Sequence, residues 1–106
     1  MANTYVNAKV DLTATSVTTL YTCAALTTGI VKSMLVSEDT GNADTITVTI
    51  TNGSTVYSLF KTKAVGANTT VELLTAPLVV QAGEILKVTA ATANRLHVVA
   101  SILEIT

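Results

Sequence analysis

Asp44-Thr45-Ile46-Thr47-Val48-Thr49-Ile50-Thr51-Asn52-Gly53-Ser54-Thr55-Val56-Tyr57-Ser58-Leu59-Phe60-Lys61 holds two alternating runs joined by an Asn-Gly pair. Ile46, Val48 and Ile50 fall on one side of the first run. Thr45, Thr47, Thr49 and Thr51 fall on the other. This is the period of a half-buried strand, and its β-branched residues suit a pleated surface. Asn52-Gly53 predicts a tight hairpin whose two turn positions both take positive φ.

The same period extends to both ends of the chain. Val6, Ala8, Val10, Leu12 and Ala14 alternate with polar residues, and Val17 to Cys23 is a second, threonine-rich strand. Ile30 to Ser37 is a third, with Ile30, Met34 and Val36 assigned to one face and Val31 and Leu35 to the other. Beyond a polar stretch from Lys63 to Asn68, Val71 and Leu73 belong to one short strand and Leu78, Val79 and Val80 to another. Pro77 lies at the break, where a residue without an N–H belongs. Gln81-Ala82-Gly83-Glu84 reads as a turn, Ile85 to Ala90 as a strand, and Arg95 to Ile105 as the last. Eight or nine short strands and no helical pattern predict an all-β chain. The expected architecture is a single antiparallel β-sandwich over residues 1–106, jelly-roll-like, with an immunoglobulin-like Greek-key sandwich as the alternative. Met1 to Asn3 are expected to fray.

Composition narrows the function. Charged residues make up 12% of the chain, against about 25% in a typical soluble domain. Threonine, about a fifth of the residues, fills the gap. The net charge is −1 and the six basic residues are scattered. Nucleic acid is therefore not an expected partner, because phosphate binding needs clustered Lys and Arg. Lys61 and Lys63, the one close pair, read as guards on a strand edge. No basic segment with an apolar run opens the chain, and no run approaches the ~18 apolar residues of a membrane span. No membrane is expected. Cover by protein partners remains.

The last strand carries the same message. Leu96, Val98, Ala100 and Ile102 form one face, while Val99, Leu103 and Ile105 load the other. A strand apolar on both sides is covered on both sides. Val99, Leu103 and Ile105 are therefore the candidate interface. The cover is expected from another subunit, with a loop of the same chain as the alternative.

Catalytic chemistry finds little support. His97 has no acidic neighbour in sequence to position it, and no motif joins it to Cys23 for thiol catalysis. Cys23, the lone cysteine, cannot form an internal disulfide, fits a reducing compartment and reads as a buried inert thiol. Glu38-Asp39-Thr40-Gly41-Asn42-Ala43-Asp44 is rich in oxygen, yet it lacks the spacing of a calcium loop and reads as a polar turn. One Cys and one His do not make a zinc site. Asn52-Gly53-Ser54 and Asn68-Thr69-Thr70 match the glycosylation pattern, as chance allows in so threonine-rich a chain. Sugar binding usually stacks rings on aromatics, and only Tyr5, Tyr21, Tyr57 and Phe60 are present. No catalytic residue, cofactor or metal is expected, and the chain is not read as an enzyme.

Leu20-Tyr21-Thr22-Cys23-Ala24-Ala25, followed by Thr28-Gly29-Ile30-Val31-Lys32-Ser33-Met34-Leu35-Val36, resembles the opening of small β-sandwich structural proteins of tailed bacteriophages. Val71-Glu72-Leu73-Leu74, Ala76-Pro77-Leu78-Val79-Val80, Ala82-Gly83-Glu84-Ile85-Leu86-Lys87-Val88 and Leu96 through Ile105 are similar to the rest. The resemblance runs from about Leu20 to the end and rests on structural motifs of moderate specificity. It departs at Ala24-Ala25-Leu26, where the family's Pro and Gly are missing, so that turn is expected to differ. What it implies is a virion protein assembled in the host cytoplasm. The first expectation is a capsid cement, or decoration, protein that binds the major capsid protein and forms a homo-oligomer, trimer or dimer. A tail, neck or fibre accessory part is the alternative. A cell-surface carbohydrate-binding module is a further one, from a different class.

Overall fold

Asn52-Gly53 does sit at a hairpin, but the turn lies one residue later than the sequence suggests. Asn52 pairs with Thr55, so the loop is Gly53-Ser54. Gly53 has a φ of +62°, and neither Asn52 nor Ser54 is left-handed. Glycine in the first loop position is the type II′ pattern rather than type I′. Register explains the choice. Thr51 opposes Val56 and Ile50 opposes Tyr57, and a slip of one residue would turn every following side chain to the other face.

In the computed structural model, which describes residues 2–106, nine strands follow one another. They are β1 (Asn3–Asp11), β2 (Thr18–Thr22), β3 (Thr28–Glu38), β4 (Asp44–Asn52), β5 (Thr55–Val65), β6 (Thr70–Glu72), β7 (Leu78–Val80), β8 (Ile85–Ala90) and β9 (Leu96–Ile105). From the Gly53-Ser54 tip outward the antiparallel pairs are nested: β4 with β5, β3 with β6 and β7, β2 with β8, β1 with β9. The chain is thus one long hairpin. Lateral ladders between β3 and β9 and between β4 and β8 roll it up. Two sheets result. Sheet A has the order β1-β9-β3-β6, with β7 further along the same edge of β3, and sheet B the order β2-β8-β4-β5. Rolled nested pairs are jelly-roll topology, not the immunoglobulin-like alternative. Among the described residues there is no helix.

The strand ends adjust the sequence reading. Met1 lies outside the described residues, while Asn3, expected to fray with it, pairs with Ile105. β1 stops at Asp11. Leu12 is still fully buried, because its N–H donates to the Leu96 carbonyl and its own carbonyl accepts from Asn94 N–H. Ala14 lies exposed in the following loop.

The two inner faces meet in one core. Sheet A supplies Val31, Met34, Val36, Val80, Leu96, Val98, Ala100 and Ile102; sheet B supplies Leu20, Ile46, Val48, Leu86, Val88 and Ala90. Each fully buried Val, Leu or Ile contributes roughly 1.5–3 kcal/mol. In β3 it is Val31, not Ile30, that shares the inner face with Met34 and Val36. The ladder with β9 skips a residue between Val31 and Ser33. That bulge at Lys32 reverses the alternation, as an inserted residue must. A second bulge, between Thr19 and Tyr21 of β2, turns both Leu20 and Tyr21 inward.

Tyr21 links the sheets at one end of the core. Its hydroxyl donates to Glu104 Oε2 of β9 at 2.6 Å. Burial, and then the hydrogen bond to that carboxylate, push the phenol well above its ordinary range. Gly29 makes the room: a Cβ there would lie 2.9 Å from the Tyr21 oxygen. Gly29→Ala is therefore expected to destabilise by about 1–3 kcal/mol, the usual range for overpacking. Tyr21→Phe in the same chain should recover part of that loss, and thermal melts of the two single variants and the double variant measure the coupling. A second melt concerns Thr51, whose hydroxyl is buried with no partner. Thr51→Val removes an unpaired group of similar shape, so it should leave stability unchanged or raise it.

Candidate functional site

The acidic loop folds inward on one of its own carboxylates. Glu38 closes β3 on the inner side and is 1% exposed. Its Oε2 accepts from Thr40 N–H at 2.9 Å and from the Thr40 hydroxyl. Its Oε1 accepts from the backbone N–H groups of Gly41 (3.0 Å), Asn42 (3.1 Å) and Asn68 (3.1 Å). Every oxygen is engaged by donors of the chain itself. Asp44, also buried, accepts from Thr92 N–H at 3.0 Å. The loop uses its carboxylates to fix backbone, and among the described residues no group of three or more His, Cys, Asp or Glu is placed to hold a metal ion.

Burial raises the Glu38 carboxyl, but the Thr40 hydroxyl and the N–H groups of Asn68, Thr40 and Asn42 outweigh it and hold it down at about 2. The ordinary value is 4.5. On acidification the unfolded chain takes up this proton first, so the contribution of Glu38 is complete above 4.5 and is lost as pH falls towards 2. Melting temperature should fall across that window. Glu38→Gln should lower stability at neutral pH and flatten the acid slope, because an amide cannot accept on both of its terminal atoms.

His97 gains the neighbours that sequence did not supply. Its Nε2 lies 3.2 Å from Asp11 Oδ1 and its Nδ1 3.9 Å from Asp39 Oδ2. Ser37 is its cross-strand partner on β3. The ring nitrogens of His97 face two carboxylates of the chain itself. Cys23 is buried in the core and its thiol donates to the Thr27 carbonyl at 3.3 Å. Lys61 and Lys63 lie exposed on β5, the edge strand of sheet B.

The feature that stands out is the outer face of sheet A. Val99, Leu103 and Ile105 all lie on it, and Val99 is 40% exposed. The registers extend them into rows. One row runs Tyr5–Leu103–Ile30–Val79 across four strands, and another runs Lys9–Val99–Leu35–Glu72. Between them lies the polar row Asn7–Ser101–Ser33. Tyr5 is 75% exposed, Val79 52% and Leu35 40%. An intrachain loop was the alternative cover, yet these side chains stay open. Ile30 and Leu35 were missed as partners because the Lys32 bulge sets them on one face. Tyr5 was legible, since it precedes the inward Val6 in a strict alternation.

The outer face of sheet B is different in kind. Thr45, Thr47, Thr49 and Thr51 line β4, with Ile85, Lys87 and Thr89 beside them on β8. Tyr57 is exposed near the hairpin tip of this sheet, whereas Tyr5 is on sheet A and Tyr21 is buried. The tyrosines therefore do not gather into a stacking platform. Compared with protein-family models, with curated proteins and with solved structures, the chain matches none.

Proposed function

We propose that this chain is a structural protein of a tailed-bacteriophage virion, a cement or decoration protein that binds the major capsid protein and acts as a homo-oligomer. The observation that carries the reading is the outer face of sheet A, where Tyr5, Leu35, Val79 and Val99 stay open. Large apolar side chains left open in rows on one face favour a surface that a protein partner covers. The low charge agrees, because the centres of interfaces are depleted in charged residues. The phage assignment itself rests on the likeness of the segments from Leu20 onward.

Decoration needs no chemistry. A small, rigid domain with two broad faces can bridge neighbouring shell subunits, and binding only to the assembled shell stabilises that shell by mass action. Adding purified protein to shells that lack it provides the test. Co-sedimentation in numbers matching the capsomers, with a rise in the shell's thermal transition, is the expected result. A few copies placed at the tail, or no binding to the particle together with hits on a glycan array, would overturn the assignment in favour of a tail part or a sugar-binding module.

A further inference from the structure

The outer face of sheet A specifies more than the fact of a partner, because its side chains are complementary to themselves. We propose that it packs against the same face of a second copy of the chain, about a two-fold axis parallel to the strands and lying between β9 and β3. The proposal rests on reading this face as a covered surface and is independent of the shell.

Such a rotation keeps position along the strands and reverses the order across them. β1 then lies over β6 and β7 of the second copy, and β9 over its β3. Applied to the observed rows, Tyr5 meets Val79, Leu103 meets Ile30, Val99 meets Leu35 and Lys9 meets Glu72, each contact occurring twice. Apolar groups fall on apolar groups in two rows, on either side of the polar row in which Ser101 meets Ser33. The opposite charges fall on each other at the two rims, where an interface carries its polar groups. Glu72 is well fixed for that role. Its carboxylate accepts from the Ser33 hydroxyl, from Met34 N–H at 2.8 Å and from Leu74 N–H at 3.2 Å. Lys9 is exposed at the opposite edge. Lys32, at the bulge beside Ser33, comes to the second copy's Ser101 and Asn7, whose side-chain oxygens accept hydrogen bonds.

The other two-fold axis that lies in this plane runs across the strands. It would set Val79 against Glu72 and Tyr5 against Lys9, leaving a fixed carboxylate against an aliphatic surface. The axis along the strands avoids this. Aligned sheets pack about 10 Å apart at about −30°. That angle carries the rim residues a few Å out of line, a shift that the long Lys9 side chain can absorb while Glu72 stays fixed. β1, β9 and β3, each about ten residues long, with the three-residue β6 and β7 together at the fourth position, lie about 4.8 Å apart and present roughly 600 Å² per copy, or about 1,200 Å² in the pair. This clears the ~1,000 Å² floor for a specific interface and sits at its low end. The dimer is therefore a weak one.

Sedimentation equilibrium of the full chain tests the proposal. Dimer is expected at subunit concentrations up to about 0.1 mM, the range in which so small an interface registers. Val99→Glu and Leu35→Lys each place a charge in the apolar part of the Lys9–Val99–Leu35–Glu72 row and should weaken association at least about tenfold. Within a chain the new Glu lies beside Lys9 and the new Lys beside Glu72, and both sites are surface positions, so melts should show both variants folded. Mixed one to one, the two variants should form a heterodimer, because Val99→Glu of one copy faces Leu35→Lys of the other. A wild-type chain that stays monomeric, a dimer indifferent to Val99→Glu, or folded variants that do not associate on mixing would each overturn the inference. A monomer that still coats shells would sink this proposal alone. A dimer that ignores shells would sink the cement reading alone.

Discussion

The ladder between β3 and β9 is the interaction on which the rest of the molecule depends. The nested pairs from Gly53-Ser54 outward make only a long hairpin, whose two sides could be extended or coiled in many ways. Pairing β3 with β9 joins the beginning of the roll to its end. It places β1 and β6 at opposite edges of one sheet and leaves β2, β8, β4 and β5 to form the other. Closing that ladder orders a loop of more than half the chain, with the entropy cost that long closures carry. The apolar inner face of both strands offsets it: Val31, Met34 and Val36 on β3, and Leu96, Val98, Ala100 and Ile102 on β9, are all buried.

That ladder also marks the limit of what the sequence discloses. Alternation identified most of the strands and the all-β sandwich, because period two is a local property and the longer strands show it, whereas β6 and β7 have three residues each. The inner face of β9 was legible for the same reason. The bulges were not. An extra residue at Lys32 has no local signature, since Ile30-Val31-Lys32-Ser33-Met34 alternates acceptably in either phase. Only the partner strand decides the phase, by fixing Val31 opposite Ile102 and Ser33 opposite Ser101. The interface was legible to the same extent. Val99, Leu103 and Ile105 lie on one regular strand and were found together. Ile30, Leu35 and Val79 come from strands brought alongside by long-range pairing, and they were not.

Glu38 shows a polar version of the same economy. A chain with few charges has buried one of them at a strand end. A buried carboxylate without donors would be costly or neutral. Here the loop that follows β3 turns its N–H groups back onto it, and Asn68 from the β5–β6 connection adds another. The carboxylate thereby ties together the β3–β4 and β5–β6 connections, which lie side by side where the β3–β6 and β4–β5 ladders end. The oxygen-rich composition of the loop, read from sequence as a polar turn, reflects this use of oxygen as a backbone anchor.

The charge deficit of the chain divides unevenly between its two outer faces. On sheet B the threonines of β4 stand where Lys or Glu would stand on an isolated domain. Thr45, Thr47 and Thr49 each combine a methyl that suits the pleat with a half-buried hydroxyl, whereas Thr51 is buried with its hydroxyl unpartnered. On sheet A the open side chains are an aromatic ring and branched aliphatics in two rows, separated by the polar row Asn7–Ser101–Ser33 with exposed Lys32 beside it, and Lys9 and Glu72 stand at the edges. A face meant for water gains from charges at its middle. A face meant to be covered carries a penalty for them there and benefits from them at the rim, where they set register and exclude wrong partners. In the proposed dimer Lys9 and Glu72 follow the second logic, which distinguishes the two faces of a sandwich whose overall composition treats them alike.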